Sequence, residues 1–398
     1  MTPCKTTMDY GMTPITTTES LQELCTRLSK AEFITVDTEF LRDNTYFPKL
    51  CLIQVADDHG AHAIDPLAED IDLAPFFDLM SNESVMKVLH ASRQDFEIFY
   101  NLTGALPKPV FDTQIAAMVC GFGDSVGYET LVTKIVKAQL DKSARYTDWS
   151  RRPLTETQLS YALGDVTHLR DIYRHFVAEL DRTNRHSWVE EEMAVVLDPS
   201  IYFIEPEAAW LRMKIRTNKP RFLGVLRELA KWREIEAQTR DIPRNRVAKD
   251  ETLFEVAAHP PKNADYLDKI RGLPKGFSRS RAGKSMLEAV QTALAIPDDQ
   301  LPKIEKVKPR PATPPMADLL KVLLKIKCQE TGVAPKLIAS SQEIDAWAAS
   351  PRREDVRPLK GWRRQIFGDD ALKLMSGNLA LTALKGEIDI VELEEDNE

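Results

Sequence analysis

Four acidic residues and one tyrosine lie in three separate stretches of the first half of the chain. They are Asp37 and Glu39 in FITVDTEF, Asp95 in HASRQDFEIFY, and Tyr161 with Asp165 in YALGDVTHL. Alternate residues of a strand point to one side, so we expect Asp37 and Glu39, which end an apolar run, to face the same way. Tyr161 and Asp165 are four residues apart in a helix-like stretch and therefore share a helical face.

Convergence of these carboxylates predicts a metal site. Four carboxylates repel one another unless cations lie between them, and hard oxygen ligands favour Mg²⁺ or Mn²⁺. Two such ions roughly 4 Å apart are a known device for cleaving phosphodiesters. Tyr161, with an ordinary pKa of about 10, is a poor base at neutral pH, so we expect it to orient the attacking water. The pattern indicates a nuclease that uses two divalent metal ions.

Each of these residues also has a simpler explanation when taken alone. Acids at strand ends and on amphipathic helices are commonly solvated, and a tyrosine on a helix is commonly part of the core. The position of Asp95, just after the predicted strand VMKVLH, supports a role as a ligand, because ligand residues gather at such strand ends in α/β sheets. His90, in the same turn, is more often structural than catalytic in such a position.

Length and composition describe an ordinary soluble chain. Its 398 residues suggest two or three domains, with 43% hydrophobic and 29% charged residues. No apolar run approaches the roughly 20 residues of a membrane span, and the N-terminus lacks a signal-peptide pattern. Five scattered cysteines without a CxxC motif argue against disulfides or zinc and favour a reducing, cytoplasmic location.

Charge is distributed unevenly along the chain. Residues 1–200 carry 18 basic and 31 acidic side chains, whereas residues 207–310 carry 23 basic and 14 acidic side chains. An acidic half beside a basic segment is typical of a division between chemistry and nucleic-acid binding. Solvated helical faces would explain the same charges, so charge alone leaves both interpretations open.

The order of predicted elements divides the chain into units. Three early strands in meander order, followed by strand–helix alternation, predict a mixed sheet flanked by helices. From residue 207 onward we expect helices only, interrupted by a stretch with six prolines. The predicted units are a polar leader (1–17), an α/β domain (18–200), a helical domain (206–295), a linker (296–315), a second helical domain (316–386) and an acidic tail (387–398).

The three motifs together resemble the DEDD superfamily of 3′→5′ exonucleases, in its tyrosine subgroup, and within it the ribonuclease D family. Asp37 and Glu39 match the first motif, Asp95 the second, and Tyr161 with Asp165 the third. The histidine subgroup would require histidine at position 160, where this chain has serine. The likeness extends to DTEFLRDNTYFPKLCLIQVA, FDTQIAA and LDKSARYTDWSRRPLTETQLSYALGDV.

The resemblance implies an RNase H-like exonuclease domain followed by two small all-α domains of the HRDC type, which bind nucleic acid. It implies a monomer that releases 5′-mononucleotides from RNA 3′ ends, with transfer RNA precursors as substrates. Asp37, Glu39, Asp95 and Asp165 would be the metal ligands. Weaker candidates for substrate contacts are Phe40, His90, Lys142, Arg145, Arg151 and Arg152.

Two other functions stay open at this point. A DNA-directed 3′→5′ exonuclease would need the same carboxylates, because the contacts that read the 2′-hydroxyl are not visible in the sequence. A non-catalytic nucleic-acid-binding protein on a nuclease fold is the other alternative, although all five motif residues are present. A P-loop enzyme is excluded by the absence of GxxxxGK[ST].

Overall fold

A six-stranded mixed sheet forms the centre of the N-terminal domain. The computed structural model describes residues 9–141, 143–304 and 314–393. The strands are β1 Asp9–Ile15, β2 Phe33–Leu41, β3 Lys49–Ala56, β4 Gly60–Ile64, β5 Met86–Leu89 and β6 Val110–Asp112. Their order in the sheet is β1-β4-β3-β2-β5-β6. β3 pairs antiparallel with both β2 and β4. β5 pairs parallel with both β2 and β6, and β1 pairs parallel with β4. The predicted mixed sheet is confirmed.

Helices cover both faces of this sheet. They are α1 Thr18–Leu28, α2 Ala74–Ser81, α3 Arg93–Thr103, α4 Thr113–Val119, α5 Tyr128–Leu131, α6 Glu156–Thr167, α7 Leu169–Thr183 and α8 His186–Val196. A π-helical segment, Val132–Val136, follows α5. Ile34 and Val36 of β2 belong to the larger hydrophobic core. The other side of β2 faces α6, where the Thr35 hydroxyl donates to the Val166 carbonyl at 2.8 Å.

The first helical module, residues 206–295, has a hydrophobic core of its own. Its helices are α9 Pro220–Thr239, α10 Arg244–Val247, α11 Asp250–Ala258, α12 Ala264–Leu267 and α13 Arg281–Ala295. Short 3₁₀ turns lie at Pro199–Ile201, Pro206–Arg212, Phe277–Arg279 and Asp298–Gln300. Leu226, Leu253 and Val290 are fully buried between its helices. This module can therefore bury apolar surface without help from the sheet.

The second helical module, residues 314–393, has no separate core. Its helices are α14 Pro315–Thr331, α15 Pro335–Ile338, α16 Ser341–Ala348, α17 Gly361–Arg363 and α18 Asp369–Ser376, with a 3₁₀ turn at Arg357–Leu359 and a π-helical segment at Arg364–Gly368. Leu320, Trp347 and Phe367 join the same hydrophobic cluster as Ile34 of the central sheet. The second module is thus packed as an extension of the N-terminal domain.

Polar contacts fasten the second module to α8. Arg363, only 3% exposed, bonds both Glu191 and Glu192 of α8. The rings of Trp188 and Trp362 stack with their centroids 4.5 Å apart and an interplanar angle of 10°. A buried cation costs desolvation free energy unless its hydrogen bonds are satisfied, so this contact favours one docking geometry.

Two terminal predictions were wrong. Part of the expected leader is a strand, because Asp9–Ile15 pairs with β4 through backbone hydrogen bonds at the edge of the sheet. The second module is not all-α, since Leu379–Leu384 (β7) and Glu387–Glu392 (β8) form an antiparallel hairpin that includes the start of the expected tail. Lys385 and Gly386, both with positive φ, close it as a two-residue turn.

No helix in the described ranges is long and apolar enough to cross a membrane.

Candidate active site

Strand β2 and helix α6 bring three carboxylates together. Asp37 and Glu39 lie opposite Gln54 and Leu52 of β3, and they project from the side of the sheet that α6 covers. A capping box at Thr155 starts α6, whose later turns present Tyr161 and Asp165 to these acids. Carboxylate oxygens of Asp37, Glu39 and Asp165 lie within 4.8 Å of one another. The structure therefore places three of the four predicted ligands in one cluster.

Asp95 reaches the same cleft from the other side of β2. It lies in the first turn of α3 and is 6% exposed, and the Thr38 hydroxyl donates a hydrogen bond to its carboxylate. Asp112 fixes the start of α3, because it accepts hydrogen bonds from the Ala91 and Ser92 amides at 3.0 and 2.8 Å. Asp95 lines the cleft without joining the three-carboxylate cluster.

A cleft of about 430 Å³ contains all five motif residues. Its remaining lining residues are Thr38, Phe40, His90, Ala91, Gln94, Gly127, Tyr128, Glu129, Thr130, Leu140, Arg145 and Leu169. The acids thus line a concave site on the surface of the N-terminal domain.

Burial and mutual repulsion shift the cluster towards its protonated form. Burial raises the pKa of Asp37 well above its ordinary value, and the charges of Asp165, Asp95 and Glu39 raise it further. Burial, followed by the charges of Asp165 and Asp95, raises the pKa of Glu39 to about 8. Burial also raises the pKa of Asp95 and of Asp165 to about 7, against the hydrogen bonds from Thr38 and Tyr161. A cation between these carboxylates would replace the protons.

Tyr161 keeps its proton at neutral pH in this environment. Burial, then the charges of Asp165 and Glu39, raise the pKa of its phenol above the ordinary value. Its hydroxyl hydrogen-bonds Asp165 and lowers the pKa of that carboxyl group. The phenol is therefore a hydrogen-bond donor beside the carboxylates and not a base.

The weaker substrate-contact candidates fall into two groups. Phe40, His90 and Arg145 line the cleft. His90 contacts the Thr113 hydroxyl at 3.0 Å, and burial lowers the pKa of its imidazole, so it positions the turn as a neutral ring. Arg145 is exposed and stacks over Tyr146 at 5.3 Å. Its charge is available at the rim of the acidic cleft.

Two further candidates, Arg151 and Arg152, are not among the residues that line the cleft. Arg152 is held by Asp65, which it contacts through Nε and Nη2, and it also donates to the Cys51 carbonyl at 2.6 Å. Its charge is already balanced, so the predicted phosphate contact is replaced by a structural ion pair. Arg151 pairs with Asp148 on the surface. Lys142 lies outside the described residues.

Sequence reasoning missed Thr38 and Tyr128. Thr38 stands between two motif acids, but its bond to Asp95 joins residues that are 57 positions apart. Tyr128 lines the cleft, and its hydroxyl donates to the Gly164 carbonyl at 3.0 Å, next to Asp165. The bond from Tyr128 reaches a backbone carbonyl 36 positions away, so no local sequence pattern indicates it.

Comparison with known proteins places this geometry in a family. A family model described as 3′-5′ exonuclease matches residues 12–181, and an HRDC domain model matches residues 222–290. Ribonuclease D of Nitrobacter hamburgensis is 49% identical over 95% of this chain and 99% of that protein. Ribonuclease D of Jannaschia sp. is 48% identical over 95% and 99% of the two chains.

A solved structure agrees over the same span. The crystal structure of Escherichia coli RNase D, an exoribonuclease involved in structured RNA processing, covers 93% of this chain and 99% of its own, with a TM-score of 0.78 and 32% identity. Fold and site thus define a 3′–5′ exonuclease with an appended HRDC domain. The chain belongs to the ribonuclease D family of exoribonucleases.

Proposed function

We propose that this protein shortens RNA from the 3′ end by two-metal-ion phosphodiester hydrolysis and releases 5′-mononucleotides. The observation that carries the proposal is the cleft in which three clustered carboxylates meet Asp95 and a protonated Tyr161. Such a set of partly buried acids has little structural purpose, because repulsion between them destabilises the fold at neutral pH.

The donor set fits divalent cations. Every candidate ligand is a carboxylate oxygen, which suits Mg²⁺ or Mn²⁺ and not a soft metal. Asp37, Glu39 and Asp165 would hold one ion, and Asp95 together with Asp37 would contribute to a second. Bound divalent cations would stabilise negative charge on the phosphate and lower the pKa of water.

The remaining residues of the cleft would orient the RNA end. Tyr161 would donate its hydroxyl hydrogen bond to the attacking water or to the phosphate, since its raised pKa keeps it protonated. Arg145 would contact a phosphate from the rim. Glu39 would accept a hydrogen bond from the terminal 3′-hydroxyl, and Phe40 would pack against the last base. A free 3′-hydroxyl is then required, which makes the enzyme end-specific.

Transfer RNA precursors with 3′ extensions are the proposed physiological substrate, and the protein is proposed to act as a monomer. Two findings favour RNA over DNA: the relationship to the ribonuclease D proteins, and the similarity to the E. coli enzyme, which acts in structured RNA processing. The basic first module supplies the charge for nucleic-acid binding.

Free cysteines in the described part of the chain agree with a reducing compartment.

A product ladder tests this proposal. A 5′-labelled RNA, its 3′-phosphorylated form, the matching DNA and a 3′-extended transfer RNA would each be incubated with Mg²⁺, Mn²⁺ or chelator. We expect metal-dependent shortening of the free 3′ ends in single-nucleotide steps, with RNA degraded faster than DNA. Asp37→Asn should abolish this activity without unfolding the protein. Equal activity of Asp37→Asn, or shortening in chelator, would contradict the metal site, and preference for DNA would favour the alternative substrate.

A further inference from the structure

A groove continues from the active-site cleft towards the first helical module. Gln94 lines both the cleft and this interdomain groove, whose volume is about 340 Å³. Four arginines line it, two from each side: Arg42 and Arg93 from the N-terminal domain, and Arg212 and Arg244 from the first module. The acidic cleft thus opens into a cationic passage, which is an arrangement suited to a polyanion whose end enters the cleft.

Only some of these cations are free to bind phosphate. Arg42 forms two hydrogen bonds to Glu97 at 2.7 and 2.6 Å, and Arg244 pairs with Glu234. Arg93 and Arg212 are exposed and have no hydrogen-bond or ion-pair partner in the part of the chain that the structure describes. The two free guanidinium groups therefore sit on separate domains and line the same groove.

The groove is preformed because the two domains are fastened beside it. Asp241 accepts hydrogen bonds from the backbone amides of Tyr46 and Phe47 at 3.0 and 2.9 Å. The Tyr46 hydroxyl bonds the buried Glu234, and Arg244 stacks 4.5 Å over the Tyr46 ring. A ligand in this groove would not have to order the domains on binding, which preserves affinity.

Arg212 also lines a larger cavity on the first module, here called the aromatic pocket. Its volume is about 690 Å³, and Lys214, Arg216, Phe222 and Phe254 line it together with Thr217 and the acids Asp250 and Glu251. The two phenylalanine rings lie 6.4 Å apart at an interplanar angle of 16°. Asp250 is paired with Arg233. Three cations around nearly parallel rings match the chemistry of an unpaired nucleotide, with phosphates on the cations and a base on the rings.

We infer that the RNA upstream of the scissile end follows this path. The strand would run from the carboxylate cleft past Gln94, between Arg93 and Arg212, to the aromatic pocket, where an unpaired base stacks. The ligand is single-stranded RNA, because bases within a duplex cannot reach a ring face. This inference rests on the proposed function and adds a requirement to it: an unpaired 3′ extension long enough to reach the first module.

Removing the cations of the aromatic pocket tests this path. The variant Arg212→Gln/Lys214→Gln/Arg216→Gln loses three exposed charges at the pocket. Its matched control, Lys262→Gln/Arg271→Gln/Lys275→Gln, loses three exposed charges of the same module at positions that line neither the pocket nor the groove. The two variants have the same net charge, so nonspecific attraction cancels in the comparison.

Binding and kinetics should then depend on the length of the RNA. By fluorescence anisotropy in chelator, we expect the pocket variant to bind a single-stranded RNA of about 16 nucleotides roughly tenfold more weakly than the control variant. The slope of log affinity against log salt should fall by about 2 for three lost phosphate contacts. With metal present, KM should rise more for this long RNA than for a dinucleotide. Phe254→Leu should weaken long-RNA binding with an unchanged salt slope.

Two outcomes separate the two proposals. If the unsubstituted protein digests RNA but the pocket and control variants bind long RNA equally, the path is wrong and the proposed function stands. If the unsubstituted protein digests no RNA, the proposed function fails. In that case the anisotropy comparison still tests the path, since it requires no catalysis.

Discussion

Replacing Asp165 with asparagine should stabilise the cation-free protein while it abolishes hydrolysis. Asp165 has a pKa of 3.8 as an ordinary aspartate and of about 7 in the folded protein, where burial raises it. Between these pH values the folded state binds more protons than the unfolded state. The free energy of unfolding therefore falls as pH rises from about 4 to about 7, and the loss persists at higher pH. Asparagine has no charge and removes this loss.

The structure also sets the size of the effect. One pKa unit corresponds to about 1.4 kcal/mol, so the shift of Asp165 has a ceiling of about 4 kcal/mol. Its titration is coupled to that of Asp37 and Glu39, and a neighbour can take up a proton in its place. We therefore expect a net gain of about 1–2 kcal/mol at pH 8, which corresponds to a melting temperature a few degrees higher.

Thermal melting in chelator at pH 5 and pH 8 would measure this gain. The difference between Asp165→Asn and the unsubstituted protein should be larger at pH 8. Glu190→Gln, which removes an exposed acid on α8 outside the cleft, should show no such pH-dependent gain. Saturating Mn²⁺ should reverse the order, because the intact cluster binds the ion and gains about 2.7 kcal/mol at a hundred times Kd.

The reasoning is refuted if Asp165→Asn melts at or below the temperature of the unsubstituted protein at pH 8 in chelator. That result would mean that the folded state does not disfavour the charged form of Asp165. The cost of burying its charge would then give no reason to expect a cation beside it.

Three further substitutions test other contacts of the fold and site. Tyr161→Phe should lower kcat about a hundredfold and keep the Mn²⁺-induced rise in melting temperature, since it removes a hydrogen-bond donor and no ligand. Thr38→Val should raise the pKa of Asp95 further, because the carboxylate loses its hydroxyl donor, and should shift the acidic limb of the pH–rate profile upward. Burial lowers the pKa of Lys87 to about 8, so between pH 8 and 10.5 the unfolded state binds more protons and stability should rise with pH. Lys87→Met should lack this rise in chemical denaturation measured across that pH range, and a rise in the variant equal to that of the parent would contradict the assignment.

Short-range rules predicted each half of the acid cluster, and the family resemblance predicted that the two halves meet. A period of two in β2 puts Asp37 and Glu39 on one side, and a spacing of four in α6 aligns Tyr161 with Asp165. The hydrogen bond from Thr38 to Asp95 was not predictable, since it depends on how β2 and α3 meet in three dimensions. The predicted phosphate contact of Arg152 was wrong for the same reason, because its partner Asp65 lies 87 residues away in the sequence.

The predictions for the two terminal segments were wrong for different reasons. Residues 9–15 include Gly11 and Pro14, residue types that are depleted in strands, and their pairing with β4 uses backbone groups that no sequence pattern marks. The C-terminal hairpin did have a local signal, because LALTAL and EIDIVE flank a Lys-Gly pair. The acidic composition of residues 387–398 predicts a tail, whereas the Lys-Gly turn between two alternating segments predicts the hairpin that forms.

The shared core of the N-terminal domain and second helical module determines which parts of the chain can exist alone. Cutting the chain between residues 304 and 314 should leave two fragments that stay associated, because Leu320, Trp347 and Phe367 fill the same apolar interior as the sheet. A gene truncated after the first module would instead yield an aggregating product with an uncovered apolar surface. The first module, with its own interior, is the part that recombination could exchange for another domain.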